Sequence, residues 1–105
     1  MTNLLAIPVP ESGERFETLL AKRNCRIEAI VSSDTPDPIL YDQPHDEAVL
    51  LLSGSATLEI NGRPVSLDPG DFLLIPAHTP HRVVRTSHGA RWFAIHFDTT
   101  LPEVS

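Results

Sequence analysis

Proline constrains this chain more than any other residue. Ten prolines are spread through its 105 residues, against only five glycines. Each fixes φ and removes a backbone donor, so long helices are excluded and short strands joined by stiff turns are expected. The length is that of one domain, with no room for a second core. Apolar residues at 41% and charged residues at 21% give an ordinary globular composition.

Fourteen acidic residues outnumber eight basic ones, for a formal charge of -6. Such a field repels phosphate backbones, so nucleic acid is not an expected partner. The longest apolar run, Ala48 to Leu52, is far too short to span a bilayer, so no membrane partner is expected either. The opening MTNLLAIPVPESGER has neither the positive start nor the apolar stretch of a secretion signal. The single Cys25 cannot form an internal disulfide and reads as a small apolar residue. A cytoplasmic protein in a reducing compartment is the expectation.

Residues 1–24 read as an extended arm followed by a short helix packed on the rest, and residues 25–105 as the barrel itself. The helix is placed at Glu14 to Lys22, where Phe16, Leu19 and Leu20 fall at i, i+3, i+4, with acids early and Lys22-Arg23 at the end. From Arg26 the period becomes two. Strands are expected at Arg26–Val31, Ala48–Leu52, Thr57–Ile60, Arg63–Leu67, Phe72–Ile75, His81–Thr86 and Arg91–Phe97. Asn61-Gly62 is a hairpin signal, because both central residues of a type I′ turn need positive φ. Pro64 puts the returning strand at an edge or bulge. The fold class is all-β, a barrel or sandwich of short strands.

Two stretches carry more than a fold class. In the first, Tyr41-Asp42-Gln43-Pro44-His45-Asp46-Glu47 runs on to Gly54, with six residues between Glu47 and Gly54. In the second, Gly70-Asp71 precedes a short apolar strand, then Ile75-Pro76, with His81 five positions after the proline. Together they resemble the two motifs of the cupin superfamily, over about Tyr41 to Arg85. The resemblance implies a single-domain jelly-roll β-barrel, commonly a homodimer, often holding a metal on three His and one Glu. Glu47 and His81 match ligand positions of that pattern. Gln43 and Tyr41 stand where the first motif usually has its two His, His78 stands where the second usually has Gly, and Arg85 where it often has Asn.

Parity adds to the candidate set. In an unbulged strand Tyr41, Gln43, His45 and Glu47 share one face, and His81 approaches from another strand. If that face lines the barrel, as the matched position of Glu47 implies, His45, Glu47 and His81, with Gln43 or Tyr41 as a fourth group, are the candidate metal ligands, suited to a divalent Fe, Mn or Zn ion. The same groups also serve a pocket without metal, bonded among themselves or to solvent. Tyr41 is the candidate catalytic acid, or else a packed ring with a bonded hydroxyl. Arg85 shares parity with His81, so it either reaches a substrate carboxylate inside or pairs at the surface. His78 reads as a surface or rim residue before a ligand, His88 as solvated, and His96, on the face of Trp92 and Ala94, as a core or rim histidine before one that reaches the cavity.

The leading expectation is a small metal-binding cupin that acts on or senses a small polar molecule inside the barrel, reaction unspecified. A metal-free binding or structural barrel is the alternative. A third reading is an interaction subunit in which the N-terminal arm and an apolar strand face build a homodimer.

Overall fold

A computed structural model describes residues 1–97. A single 3-10 turn, Leu4–Ala6, precedes eight strands: β1 (Glu14–Lys22), β2 (Cys25–Ser32), β3 (Asp46–Ser53), β4 (Ala56–Ile60), β5 (Arg63–Leu67), β6 (Phe72–Ile75), β7 (His81–Thr86) and β8 (Ala90–Phe97). They form a five-stranded sheet, β1-β2-β8-β3-β6, and a three-stranded sheet, β5-β4-β7. Side chains of both sheets meet in one core, where Ile30, Val49, Leu51, Ile75 and Trp92 pack against Leu58 and Leu67. This is the expected jelly roll. The Asn61-Gly62 turn has φ of 50° and 78°, as a type I′ turn requires, and Pro64 lies on the edge strand β5.

One expectation is overturned. Glu14–Lys22 is a strand, not a helix, paired antiparallel with β2 along its length. The helical spacing of its apolar residues has another cause. Thr18 opposes Glu28 and Leu20 opposes Ile27, so Leu19 is an extra residue in a β-bulge. Before the bulge Phe16 faces inward beside Ile30; after it Leu20 takes the face of Ile27. Leu19 packs outside with Ile7, Ala29 and Val31. A bulged strand has imitated a helical stripe.

The N-terminal arm lies across the outside of β2. Ile7 is buried with Ala29 and Val31, flanked by Leu4 and Val9. The Arg91 guanidinium pins the arm by donating from Nη1 to the carbonyls of Leu4, at 2.6 Å, and Ile7, at 2.9 Å. Beyond the arm, the outer face of the large sheet is an apolar hollow lined by Ile27, Ala48, Leu50, Phe72, Phe93 and Ile95.

Strand register decides what faces inward. Arg26, His96, Glu47 and Ile75 lie side by side across β2, β8, β3 and β6. Two residues along, Glu28, Ala94, Val49 and Leu73 form the next row, and then Ile30, Trp92 and Leu51. Polar side chains therefore occupy one end of the interior and apolar ones the other. Among the described residues, no helix is long and apolar enough to cross a membrane.

Candidate functional site

The polar end of the interior opens into a cavity of about 220 Å³. Its apolar walls include Phe16, Ile30, Val49, Leu58, Ile75, Val83 and Trp92, and its polar groups are Glu14, Arg26, Glu28, Tyr41, Gln43, Glu47, His81 and His96. The volume corresponds to roughly seven waters at about 30 Å³ each, the scale of a small organic molecule.

Glu47 and His81 are the most deeply placed polar pair facing the cavity, with side chains 10% and 8% exposed and His81 Nε2 3.5 Å from Glu47 Oε1. Gln43 donates from Nε2 to the same oxygen at 2.9 Å. Burial pushes the Glu47 carboxyl up, but the His81 and His96 imidazoles and the Gln43 amide outweigh it and hold the group below its ordinary value. Burial likewise pushes His81 down, and the Glu47 carboxylate and the Thr79 carbonyl reverse it, holding the imidazole above its ordinary value. His81 Nδ1–H donates to the Thr79 carbonyl at 2.8 Å, which turns Nε2 toward Glu47 and fixes the ring.

Tyr41 is held to His81 by reciprocal backbone bonds of 2.8 and 2.9 Å, and the two rings stack with centroids 5.6 Å apart. Its phenol is raised by burial, then by the carboxylates of Glu14, Asp37, Glu47 and Glu28. That direction keeps the hydroxyl protonated, as a hydrogen-bond donor requires.

His45 goes elsewhere. It precedes β3 and does not line the cavity; its Nε2 lies 2.9 Å from His96 Nδ1, the rings meeting edge to face. His96 Nε2 in turn lies 2.8 Å from Glu28 Oε1, with Arg26 Nη2 3.6 Å from that oxygen. Glu28 accepts from His96 Nε2–H, and the facing His45 Nε2 and His96 Nδ1 share one hydrogen bond. The His45 imidazole is lowered by burial, then by His96 and Arg26.

The structure thus gathers Tyr41, Gln43, Glu47 and His81 and takes His45 to the neighbouring His96–Glu28 cluster. Adjacent Asp46 faces away from Glu47 and accepts from the Ala77 amide at 2.8 Å. His78 is exposed, 3.7 Å from Asp42, with φ of 58°. Arg85 does not line the cavity, because β7 carries a bulge. Thr57 pairs with Arg85 and Leu58 with Val83, so the extra Val84 leaves Val83 inside and Arg85 exposed. His88 is exposed in its turn.

Sequence reading missed Glu14, Arg26 and Glu28 as cavity residues, and for His96 it preferred a core or rim place to the cavity position found here. Ser32 orients Glu14. Its Oγ donates to Glu14 Oε2 at 2.8 Å and accepts from the buried Trp92 Nε1–H at 3.0 Å. Burial, offset in part by Ser32 and reinforced by Asp37 and Glu47, raises the Glu14 carboxyl.

A metal ion on these side chains requires donors converging on one point. Among the described residues no group of three or more His, Cys, Asp or Glu is so arranged. His45 is committed to His96, and Gln43 turns a donor N–H to Glu47. As arranged, the side chains do not form a metal site, and no chemical step is routed through one.

A family model described as the cupin domain matches residues 34–96. The quercetin 2,3-dioxygenase of Bacillus subtilis (strain 168) is 37% identical over 98 residues, covering 79% of this chain; the match spans only 29% of that relative's length. A provisionally named mannose-6-phosphate isomerase from Ralstonia eutropha JMP134 superposes with a TM-score of 0.83 at 40% identity, over 94% of this chain and 98% of its own. A cupin superfamily protein from Desulfitobacterium hafniense DCB-2 superposes with a TM-score of 0.81 at 20% identity, over 90% of this chain and 86% of its own, a likeness of fold alone.

Proposed function

The chain belongs to the cupin family, and we propose that its barrel holds a small polar molecule against Glu47 and His81, which move a proton to or from it. One observation carries this reading: a carboxylate and an imidazole, both nearly buried, face a cavity that has apolar side chains on one side and further polar groups on the other. Burying such a pair costs desolvation that an apolar pair would avoid, so retaining it suits chemistry or recognition better than stability. The proton accounting is simple. A protonated His81 gives its Nε2 proton to a ligand oxygen or nitrogen, and the neutral ring keeps Nδ1–H on Thr79. Glu47, held ionised, is the acceptor for a proton leaving the ligand. Tyr41 offers its hydroxyl as a further donor at the same wall. The relatives' names specify two different reactions, so they support the class, action on a small molecule, and do not choose between reactions.

Screening small hydroxylated and carbonyl compounds by NMR titration tests this. Compounds that bind are expected to lose at least about tenfold in affinity in Glu47→Gln and in His81→Gln. Unchanged affinity in both variants would remove the pair from the site.

A divalent Fe, Mn or Zn ion is the second reading, favoured by one observation. The Thr79 bond fixes His81 in the tautomer that leaves Nε2 for a ligand role beside Glu47. Gln43 would join through its carbonyl oxygen after turning its amide. Elemental analysis of protein prepared without chelator tests it: about one ion per chain, lost in His81→Ala, is the supporting result. Absence of metal after supplementation with all three ions would reject it.

The homodimer belongs here too. The hollow beside Phe72 and Phe93 is apolar, and Phe72 and Leu74 are 65% and 48% exposed. Back-to-back pairing of the large sheets would cover both.

A further inference from the structure

We infer that the cavity selects a small organic cation, an amine with an apolar body, and that Glu14 is the residue that anchors its ammonium group. The inference deepens the reading of the barrel as a ligand pocket and rests on it.

Pairing the charges around the cavity leaves one over. Glu47 faces His81 at 3.5 Å, and Glu28 has Arg26 at 3.6 Å together with His96 at 2.8 Å. Glu14 lines the same cavity, yet among the described residues no Lys, Arg or His lies within ion-pair distance of it. Its one side-chain partner is the neutral Ser32 hydroxyl, itself held by Trp92. Burial is the main reason the Glu14 carboxyl is raised, and the negative potential of Asp37 and Glu47 adds to it. Three carboxylates line the cavity, and Arg26, His81 and His96 are taken up by two of them, so a ligand carboxylate or phosphate would add to the negative excess at Glu14, whereas an ammonium supplies the missing charge.

The rest of the lining suits the body of such a ligand. Phe16, two residues along β1 from Glu14 and on the same face, lines the cavity with Tyr41 and Trp92. Aromatic faces stabilise a cation as well as an apolar ring. Ile30, Val49, Leu58 and Ile75 complete a wall with no further charge.

Three probes of nearly equal shape separate the possibilities: benzylamine, benzyl alcohol and benzoate, titrated by NMR or calorimetry near neutral pH into wild type and Glu14→Gln. Benzylamine is expected to bind at least about tenfold more tightly than benzyl alcohol, a difference of about 1.4 kcal/mol, with benzoate weakest. Glu14→Gln should erase the amine's advantage, bringing that variant's affinity for benzylamine down to its affinity for benzyl alcohol. Benzoate binding as tightly as benzylamine would overturn the inference, and so would an amine preference that survives Glu14→Gln. Benzyl alcohol binding without any amine preference would sink this inference alone. Silence of all three probes would count against the pocket reading itself and take the inference with it. The wild-type comparison does not depend on the variant's folding.

Discussion

Replacing Gly54 by alanine tests the packing that holds the two sheets together. Gly54 follows β3 with φ of 83°, a region that costs a residue with a Cβ about 1–2 kcal/mol. Space is the second obstacle. A Cβ there would lie 2.6 Å from Ser87 Oγ and 2.8 Å from Ala90 Cα. Ala90 is backbone at the start of β8 and wholly buried, so it cannot step aside cheaply. Overpacking of this kind costs about 1–3 kcal/mol. Moving Ser87 would also break the bond its Oγ accepts from the Ser55 amide at 2.9 Å, about 0.5–1.5 kcal/mol more. The control is Gly62→Ala, at φ of 78° with nothing within 4 Å of the added Cβ, which should show the conformational cost alone. Gly54→Ala is therefore expected to be less stable than Gly62→Ala by about 2 kcal/mol. In equilibrium urea unfolding, with m near 1.5 kcal/mol per M, that separates the midpoints by about 1.3 M at unchanged slope. Values for the two variants within about 0.5 kcal/mol of each other would refute the steric argument.

The remaining predictions are briefer. Glu47 is held below its ordinary 4.5, so its stabilisation is present above that pH and lost as pH falls through the folded value; His81 is held above its ordinary 6.5, so its contribution is full below that pH and lost as pH rises through the folded value. The stability gap between wild type and His81→Gln should therefore be widest from about pH 4.5 to 6.5 and narrow on both sides, as urea midpoints read across pH would show; a flat gap would contradict the pairing. Ser32→Ala removes a hydroxyl bonded to both Trp92 and Glu14 and leaves the buried indole N–H without a partner. A loss of about 1–3 kcal/mol is expected in the same unfolding assay, and a neutral result would deny Ser32 that role. Phe72→Asp, on the exposed apolar face, should turn a dimer into a monomer in light-scattering chromatography with the near-ultraviolet circular dichroism of the fold retained. A wild-type monomer at all concentrations would reject back-to-back pairing.

The strand positions from β2 onward and the second motif were legible in the sequence because alternation and turn chemistry agree there. His78 shows why a motif position usually filled by Gly is special: its φ of 58° lies in the left-handed region. Three places resist a simple alternation, each for a local reason. Leu19 in β1 and Val84 in β7 are single inserted residues, and one insertion reverses the face of everything beyond it. The third case is β2. Its apolar residues Ile27, Ala29 and Val31 suggest the inward face, yet they lie outside, with Ala29 and Val31 packed under the N-terminal arm and Ile27 in the outer hollow. Arg26 and Glu28 instead point to a polar cavity, so hydrophobicity alone marks the wrong side of this strand. His45 failed differently: it precedes β3, where strand alternation no longer applies, and it turned to His96.

The cavity draws its groups from strands of unequal mechanical standing. Glu47 sits on β3, a strand flanked on both sides, and His81 on β7 at the border of the small sheet, whereas Glu14 and Phe16 belong to β1 at the border of the large one. Acid–base groups and ligand-sorting groups are therefore separable in heredity. Exchanges at positions 14, 16 and 18 on the inward face of that border strand can retune what is admitted while the interior ladder stays as it is. A mutant library confined to those three codons would explore ligand choice at little cost to folding, and a lineage of such chains can diversify by the same route.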